Sequence, residues 1–244
     1  MEKMKDGLTV ALLAREEEEN LRILLPEIRS LAEGLGTVFE ITVVDGAVAT
    51  DNTEAVCREN GCNYVNQRYP KFGGAFRTAI EEAGYDRFLI LDADGSHPPR
   101  FIPDLYAAFE EGTWDVVIGS RYVKGGVTHD KGSSIVMSKL LNFAFRVVLG
   151  IRAKDLSTDF RMYRTAELKR LDLRRENYDV LQEVLLKLKL QLGGLKVKEV
   201  PISFEKRMAG ESKRRLIPFI LSYIRTLFAL LGLRITHARE GRKA

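Results

Sequence analysis

Two aspartates one residue apart, Asp92 and Asp94, leave the apolar run Phe88-Leu89-Ile90-Leu91 and lead into Gly95-Ser96-His97-Pro98-Pro99. Carboxylates at i and i+2 at the end of a buried strand can reach a divalent cation and the diphosphate it neutralises. A bare D-x-D also describes two surface aspartates opening a turn. The apolar run before the pair, and the rigid proline turn that aims Ser96 and His97 back at the same spot, weigh toward chemistry. Arg121 is the basic counterpart that follows an apolar run, Val116 to Gly119 and then Ser120. Arg207 and Lys213 bracket a short polar segment farther on. Such side chains make charge-assisted contacts to phosphate, although a lone surface cation is often only solvated. Gly73-Gly74-Ala75 opens a helix where backbone amides can approach phosphate, but a small-residue turn needs no ligand. His129 and His237 have no companions at ligand spacing and read as surface residues.

The elements around these residues alternate. Strand-like runs at Leu8 to Leu13, Phe39 to Val44, Asn63 to Asn66, Phe88 to Leu91 and Asp115 to Ile118 are separated by helical patterns at Glu17 to Glu33, Thr53 to Glu59, Ala75 to Ala83 and Phe101 to Glu110. Parallel strands need crossover helices, so the rhythm predicts an α/β fold with a mostly parallel, Rossmann-like sheet covered by helices. Ligands in such folds sit at the carboxyl ends of strands, where Asp45, Asp92 with Asp94, and Ser120 with Arg121 all fall. Beyond residue 126 the pattern gives a helix from about Ser134 to Leu149, a polar turn at Asp155 to Asp159, a helix over Val180 to Leu192 and a β-rich run Lys196 to Phe204. No internal repeat or second-domain boundary is evident.

Composition sets outer limits. The 244 residues are 45% hydrophobic and 30% charged, ordinary for one large globular domain. Cys57 and Cys62 offer neither a disulfide framework nor a four-ligand zinc site, which fits a reducing, cytoplasmic setting, and the charged N-terminus lacks a signal-peptide core. Residues 196–244 carry twelve Lys/Arg against four Glu, so with a net charge of +4 the preceding part is acidic. That basic end suits phosphate or anionic lipid. Nucleic acid would call for aromatics among the charges, whereas Tyr223 and Phe228 lie inside an apolar helix, so no nucleic-acid partner is expected. The apolar stretch Leu216 to Leu233, roughly 27 Å long as a helix, has only Arg225 charged. With Ser222, Arg225 and Thr226 on one face it reads as an amphipathic helix packed on the domain or lying in a membrane interface, more economically than as a span.

LILDADGSHPPRFIPDL, VVIGSRYVKGG, DLSTDFRMY and VKEVPISFEKRMAGESK, in that order, resemble the motifs of family 2 glycosyltransferases of the dolichol- or polyprenol-phosphate mannosyltransferase type. The resemblance implies a GT-A fold over residues 1–213, with 214–244 as a basic, amphipathic helix and tail at a membrane surface. It further implies a nucleotide-sugar donor, GDP-mannose ahead of a UDP-sugar, a lipid-linked phosphate acceptor and Mg²⁺ or Mn²⁺. By the same resemblance Asp45 contacts the donor base, Asp92 and Asp94 handle ribose, diphosphate and metal, and Ser96 is a further metal contact. Arg121 joins the donor site, while Ser138, Arg207 and Lys213 meet acceptor phosphate.

The chain departs from the pattern at several places. The first motif reads Leu12-Leu13-Ala14-Arg15-Glu16-Glu17, keeping only its acidic end, and the segment Asp45 to Asp51 is one residue longer than usual. Ser134 stands where arginine is expected, with Lys131 nearby, and Asp159 replaces a glycine before Phe160-Arg161. Glu183 occupies the region where transferases acting on hydroxyls place a catalytic base, and is otherwise an ordinary polar helix residue. Two rival classes stand beside this reading. A haloacid-dehalogenase phosphatase would need its D-x-D on an early strand, and a non-catalytic nucleotide-sugar scaffold would fit the altered first motif.

Overall fold

The computed structural model describes residues 4–129, 132–208 and 216–240, apart from the side chains of residues 133, 216–222 and 238–240. The first half follows the expected alternation: β1 (Lys5–Leu13), α1 (Glu18–Glu33), β2 (Phe39–Asp45), α2 (Thr53–Glu59), β3 (Asn63–Asn66), α3 (Lys71–Glu82) and β4 (Tyr85–Asp92). A short 3₁₀ turn at Pro99–Phe101 leads into α4 (Ile102–Glu110) and β5 (Val116–Ser120). Then come β6 (Val127–Thr128), α5 (Gly132–Leu149), β7 (Arg161–Arg164), α6 (Thr165–Leu168), α7 (Val180–Gln191), β8 (Val197–Pro201), β9 (Ser203–Phe204) and α8 (Leu216–Glu240).

Seven strands make one sheet in the order β3-β2-β1-β4-β7-β5-β8, and β6 pairs with β9 beside it. Every neighbouring pair in the large sheet is parallel except those made by β7, which runs antiparallel to both β4 and β5. The central strands are apolar on both faces because helices cover both. Ala11, Ile90 and Ile118 face a core with Phe76 of α3, Phe145 of α5 and Leu185 of α7. Leu12, Leu91 and Val117 face the opposite core with Leu21 and Ile28 of α1 and Leu105 of α4. In α1 the buried Leu21, Leu24, Leu25, Ile28 and Ala32 recur at helical spacing, so one stripe of the helix closes that layer.

The extra length of the Asp45 to Asp51 segment has a structural use. Asp51 accepts hydrogen bonds from the Glu18 amide at 3.0 Å and the Thr53 amide at 3.0 Å, satisfying the starts of α1 and α2 with one carboxylate. Gly73 has an equally local explanation. A Cβ there would lie 2.1 Å from the Arg175 carbonyl, and its amide donates to the Glu176 carbonyl at 2.7 Å, so α3 starts in contact with the 173–178 loop. The glycines therefore serve close packing.

β7 was not anticipated as a strand. It is four residues long, ends in arginines, and is held by pairing on both sides rather than by its own apolar pattern. Its first residue, Arg161, is wholly buried and donates to the Leu156 carbonyl at 2.7 Å, the Leu181 carbonyl at 3.0 Å and the Tyr163 hydroxyl at 3.2 Å.

The helix expected near the C-terminus docks against α5 and α7. Tyr223 meets Phe145 edge-on with ring centroids 5.6 Å apart, Leu230 is buried, and Arg234 caps the end of α5 through the Val147 and Val148 carbonyls at 3.1 and 2.6 Å. Thr226 does not share an outward polar face with Arg225: it is buried and donates to Asp179 of the turn before α7, while Arg225 is exposed. The Ser222 side chain lies outside the described residues. Among the described residues no helix is long and apolar enough to cross a membrane.

Thr226→Val removes the hydroxyl that donates to the buried Asp179 carboxylate, so it should lower unfolding stability by about 1–3 kcal/mol. Urea unfolding monitored by circular dichroism reads the change, and an unaltered midpoint would mean that α8 is not anchored through Asp179.

Candidate active site

The C-terminal ends of β2, β4 and β5 lie on one edge of the sheet, as parallel order requires, and deliver Asp45, Asp92 and Ser120-Arg121 there. The turn after β4 is tight. Gly95 adopts φ +77°, and a Cβ on it would lie 2.3 Å from the Met208 sulfur, so the 205–208 segment passes directly over the turn. The Met208 amide donates to the Asp94 carbonyl at 3.1 Å, the Glu205 amide to the Ser96 carbonyl at 3.0 Å, and Arg207 Nε meets Asp94 Oδ2 at 3.0 Å. Asp94 Oδ1 accepts the Ser96 amide at 2.9 Å. The acidic pair and the basic segment, about a hundred residues apart in sequence, are thus in contact.

Asp92 turns the other way. His97 Nδ1 lies 3.5 Å from Asp92 Oδ2 and 3.4 Å from Asp159 Oδ1, and His97 Nε2 lies 3.1 Å from the Thr158 hydroxyl. Burial lowers the His97 pKa against the opposing pull of Asp92, so the ring stays neutral. Burial, reinforced by the negative charge of Asp92, pushes the Asp159 carboxyl well above its ordinary range. His97 and Asp159 were not assigned to a cation from the sequence. Glu17, the surviving acidic end of the first motif, also belongs here: burial and then the charges of Asp94 and Asp92 raise its pKa.

Arg121 is fixed rather than mobile. Its Nε and Nη2 make paired hydrogen bonds to Asp155 at 2.7 and 2.8 Å, its amide adds a third at 3.1 Å, and Nη2 also donates to Ser157 Oγ at 2.7 Å. Burial alone would raise the Asp155 pKa, but the Arg121 charge and these bonds overcome it and hold the carboxyl below its ordinary range. Ser157 reaches Ser138 Oγ at 3.3 Å and Asn142 Nδ2 at 3.2 Å, which brings α5 into the same network. Glu199 of β8 accepts the Lys154 and Asp155 amides at 2.9 and 3.0 Å.

Asp45 closes β2, two strands from β4, and accepts the Gly46 amide at 2.7 Å and the Tyr64 hydroxyl at 3.0 Å. Burial raises its pKa. Glu183 spends its carboxylate on structure: it accepts the Arg174 amide at 3.1 and 3.0 Å, the Arg175 amide at 2.8 Å, and pairs with Lys187 at 2.8 Å. In this position Glu183 orders the loop beneath α7. Lys131 and Lys213 lie outside the described residues.

The donors present fit a hard divalent cation. Ser96 Oγ and Asp159 Oδ2 are buried without a hydrogen-bond partner, beside carboxylates whose mutual repulsion a cation would relieve. Asp92 and Asp94 with Ser96 supply oxygens, and Asp92, His97 and Asp159 offer ligand atoms all within 4.8 Å of one another.

A seven-stranded sheet of this order, with an acidic turn and a basic strap at its carboxyl edge, is an α/β fold of the GT-A type. The chain belongs to glycosyl transferase family 2, whose sequence profile matches residues 9–171. Among its relatives, the dolichol-phosphate mannosyltransferase of Pyrococcus furiosus is 34% identical over 92% of this chain, which spans 63% of that protein. The polyprenol monophosphomannose synthase of Mycolicibacterium smegmatis is 36% identical over 81% of this chain and 77% of its own length. The undecaprenyl-phosphate mannosyltransferase of Micrococcus luteus is 33% identical over 77% of this chain and 83% of its own. The chain therefore spans less than two thirds of the first of these relatives. In fold it is similar to glucosyl-3-phosphoglycerate synthase of Mycobacterium tuberculosis, solved with Mn²⁺, UDP and glucosyl-3-phosphoglycerate, at TM-score 0.72 and 20% identity over 93% of this chain and 80% of that one. The same enzyme with Mg²⁺ and UDP gives TM-score 0.73 at 21% identity, with the same coverage.

Asp155→Asn should cost about 3 kcal/mol near neutral pH by leaving Arg121 buried without its counter-charge. Because the folded pKa of Asp155 is depressed, the wild-type advantage is complete above the unfolded value near about 3.9 and disappears as pH falls through the folded value. Denaturation midpoints of both proteins across that acid range test it. A gap that stays constant down to the lowest pH would contradict the ionised pair.

Proposed function

We propose that this glycosyltransferase moves a hexose, mannose first among candidates, from a nucleotide sugar to a polyprenyl or dolichyl phosphate, with inversion at the anomeric carbon and with Mg²⁺ or Mn²⁺. GDP-mannose is the favoured donor and a UDP-sugar the alternative. The observation that carries this reading is the contact between Asp94 and Arg207, which joins a cation-binding turn to a phosphate-binding strap in one place. The identities to three lipid-phosphate mannosyltransferases support mannose as the sugar and a lipid phosphate as the acceptor class.

Asp92 and Asp94 with Ser96 would hold the cation, which when bound supplies charge neutralisation to the donor diphosphate. Asp45 with Tyr64 would receive the base, and Glu17 would fix the near wall. Arg121, pinned by Asp155, contributes a positive charge of fixed direction beside the donor. Arg207, with Lys213, would engage the acceptor phosphate, and Ser138 would orient it through the Ser157 network. An acceptor phosphate oxygen forms the new bond to the anomeric carbon as the bond to the nucleotide diphosphate breaks, and the diphosphate leaves with the electron pair. A phosphate monoester, with a second pKa of about 6, is already largely anionic at neutral pH and needs no strong base. The engagement of Glu183 with loop amides agrees with that, and gives no support to a hydroxyl acceptor.

A membrane-surface position completes the proposal. Val136, Leu140, Phe143 and Val147 on α5, and Ile224, Phe228 and Ile235 on α8, are exposed at helical spacing on two helices that pack together. Lys139, Arg146 and Arg225 lie along them, so residues 214–244 and α5 would rest on an anionic cytoplasmic leaflet near the lipid acceptor.

Thermal unfolding with GDP-mannose, UDP-glucose and UDP-N-acetylglucosamine, each with and without Mn²⁺, tests the donor. Hundredfold excess over Kd adds about 2.7 kcal/mol to native stability. A Mn²⁺-dependent rise with GDP-mannose is expected. No rise with any nucleotide sugar would favour the non-catalytic scaffold. In a polyprenyl-phosphate transfer assay Asp94→Asn should lose metal-dependent turnover while keeping its fold, and full turnover would remove Asp94 from the site.

A further inference from the structure

Asp45 closes β2 and Asn66 closes β3, and the two are paired Cα to Cα in neighbouring parallel strands, so their side chains leave the same edge side by side. A hydrogen-bond relay joins them, and its direction is fixed at the outer end. Asn66 Nδ2 lies 2.8 Å from the Gly46 carbonyl and 3.0 Å from the Tyr64 hydroxyl. A carbonyl only accepts, so the amide nitrogen of Asn66, and not its oxygen, must occupy that position. Its second hydrogen goes to Tyr64, whose own proton is thereby sent on to Asp45 Oδ2 at 3.0 Å. Burial pushes the Tyr64 pKa up to about 12, so that proton stays in place near neutral pH. Asp45 is buried, Tyr64 half-buried and Asn66 exposed, so the relay runs from the surface inward.

Both hydrogens of the Asn66 amide are spent inward, and its oxygen, on the other side of the amide, has no hydrogen-bond partner among the described residues. The nitrogen holds the start of the 46–51 segment, a task in which the oxygen has no part. Beside it Asp45 keeps lone pairs of its own, since the Gly46 amide and the Tyr64 hydroxyl take one on each carboxylate oxygen. Asp45 and Asn66 together offer acceptors and no donor. Guanine presents two neighbouring donors on one edge, its ring N–H and its exocyclic amine, whereas uracil presents a single N–H between two carbonyls. Two adjacent acceptors match the first, and in the second they set an acceptor against a carbonyl oxygen. We propose that Asn66 is a specificity-determining residue of the donor site, its amide oxygen taking the exocyclic amine of guanine while Asp45 takes the ring N–H. The inference rests on the proposed function for placing the donor base at Asp45, and adds the residue that separates a guanosine from a uridine donor.

The experiment is calorimetric titration with GDP, IDP and UDP in the presence of Mg²⁺, for the wild type and Asn66→Ala. IDP is GDP without the exocyclic amine, so the ratio of the two affinities isolates that one contact. The wild type should bind GDP at least about tenfold more tightly than IDP or UDP, and Asn66→Ala should bring the GDP-to-IDP ratio to within about twofold of unity. Loss of a purely structural anchor would weaken GDP and IDP alike and leave the ratio unchanged. Far-ultraviolet circular dichroism reports that the variant is folded, and the wild-type ratio tests the contact without it. Equal affinity of the wild type for GDP and IDP, tighter binding of UDP than of GDP, or an unchanged ratio in folded Asn66→Ala would each overturn the role of Asn66 and leave transfer from a nucleotide sugar standing. Binding of none of the three would overturn the donor site and this inference together. A GDP preference without any sugar transfer to polyprenyl phosphate would overturn the proposed function alone.

Discussion

The carboxylate of Asp155 is fully buried, and it is tolerable there because Arg121 covers it with two side-chain hydrogen bonds and one from the backbone. A pair of this kind adds little net stability over an apolar replacement, but losing either member leaves a bare charge in the interior. Its value is geometric. It ties the end of β5 to the loop that carries Ser157, Thr158 and Asp159, and Glu199 fixes the same loop from β8. Through Ser157 the constraint extends to Ser138 and Asn142, and through Thr158 to His97 and Asp92. The end of β5, the start of the turn after β4, helix α5 and the 155–160 loop are therefore referred to one ion pair.

The alternation of strands and helices was legible in the sequence because β1, β2, β4 and β5 each hold a mostly apolar run and α1 a 3.6-residue stripe. Asp45, Asp92 and Arg121 could be placed at one edge for the same reason, since parallel order alone puts the ends of successive strands together. β7 was illegible because its pairing, and not its own pattern, makes it a strand, and because Arg161 places its two terminal guanidinium nitrogens on carbonyls that lie 5 and 20 residues away. The partner of Arg121 is 34 residues distant, the partner of Asp94 more than a hundred, and neither separation leaves a periodic trace. His97 could have been found from its place in the proline turn, which was read as aiming it at the acidic pair. What the sequence did not carry was Asp159 lying beside Asp92 and His97.

Glu183 and Gly73 illustrate residues that look chemical and are architectural. Each belongs to the support of the 173–178 loop: Glu183 gathers its amides from below, and Gly73 admits its backbone from the side. α8 carries the same lesson in reverse. Its sequence left packing on the domain and lying in a membrane interface both open, and Thr226, Tyr223 and Arg234 bind it to the turn before α7 and to two points on α5.

The direction of β7 has a consequence for how the site is dimensioned. In a parallel strand the residues that follow it reach the carboxyl edge, but in an antiparallel one the residues that precede it do, so the 155–160 loop arrives from the opposite chain direction. Two ladders, to β4 and to β5, set how far it protrudes. A slip of one residue in both would carry Asp159 about 3.3 Å along the strand axis and reverse the facing of Arg161. The reach of the 155–160 loop is accordingly metered in steps of strand rise, by hydrogen bonds that involve none of the side chains it carries to the edge.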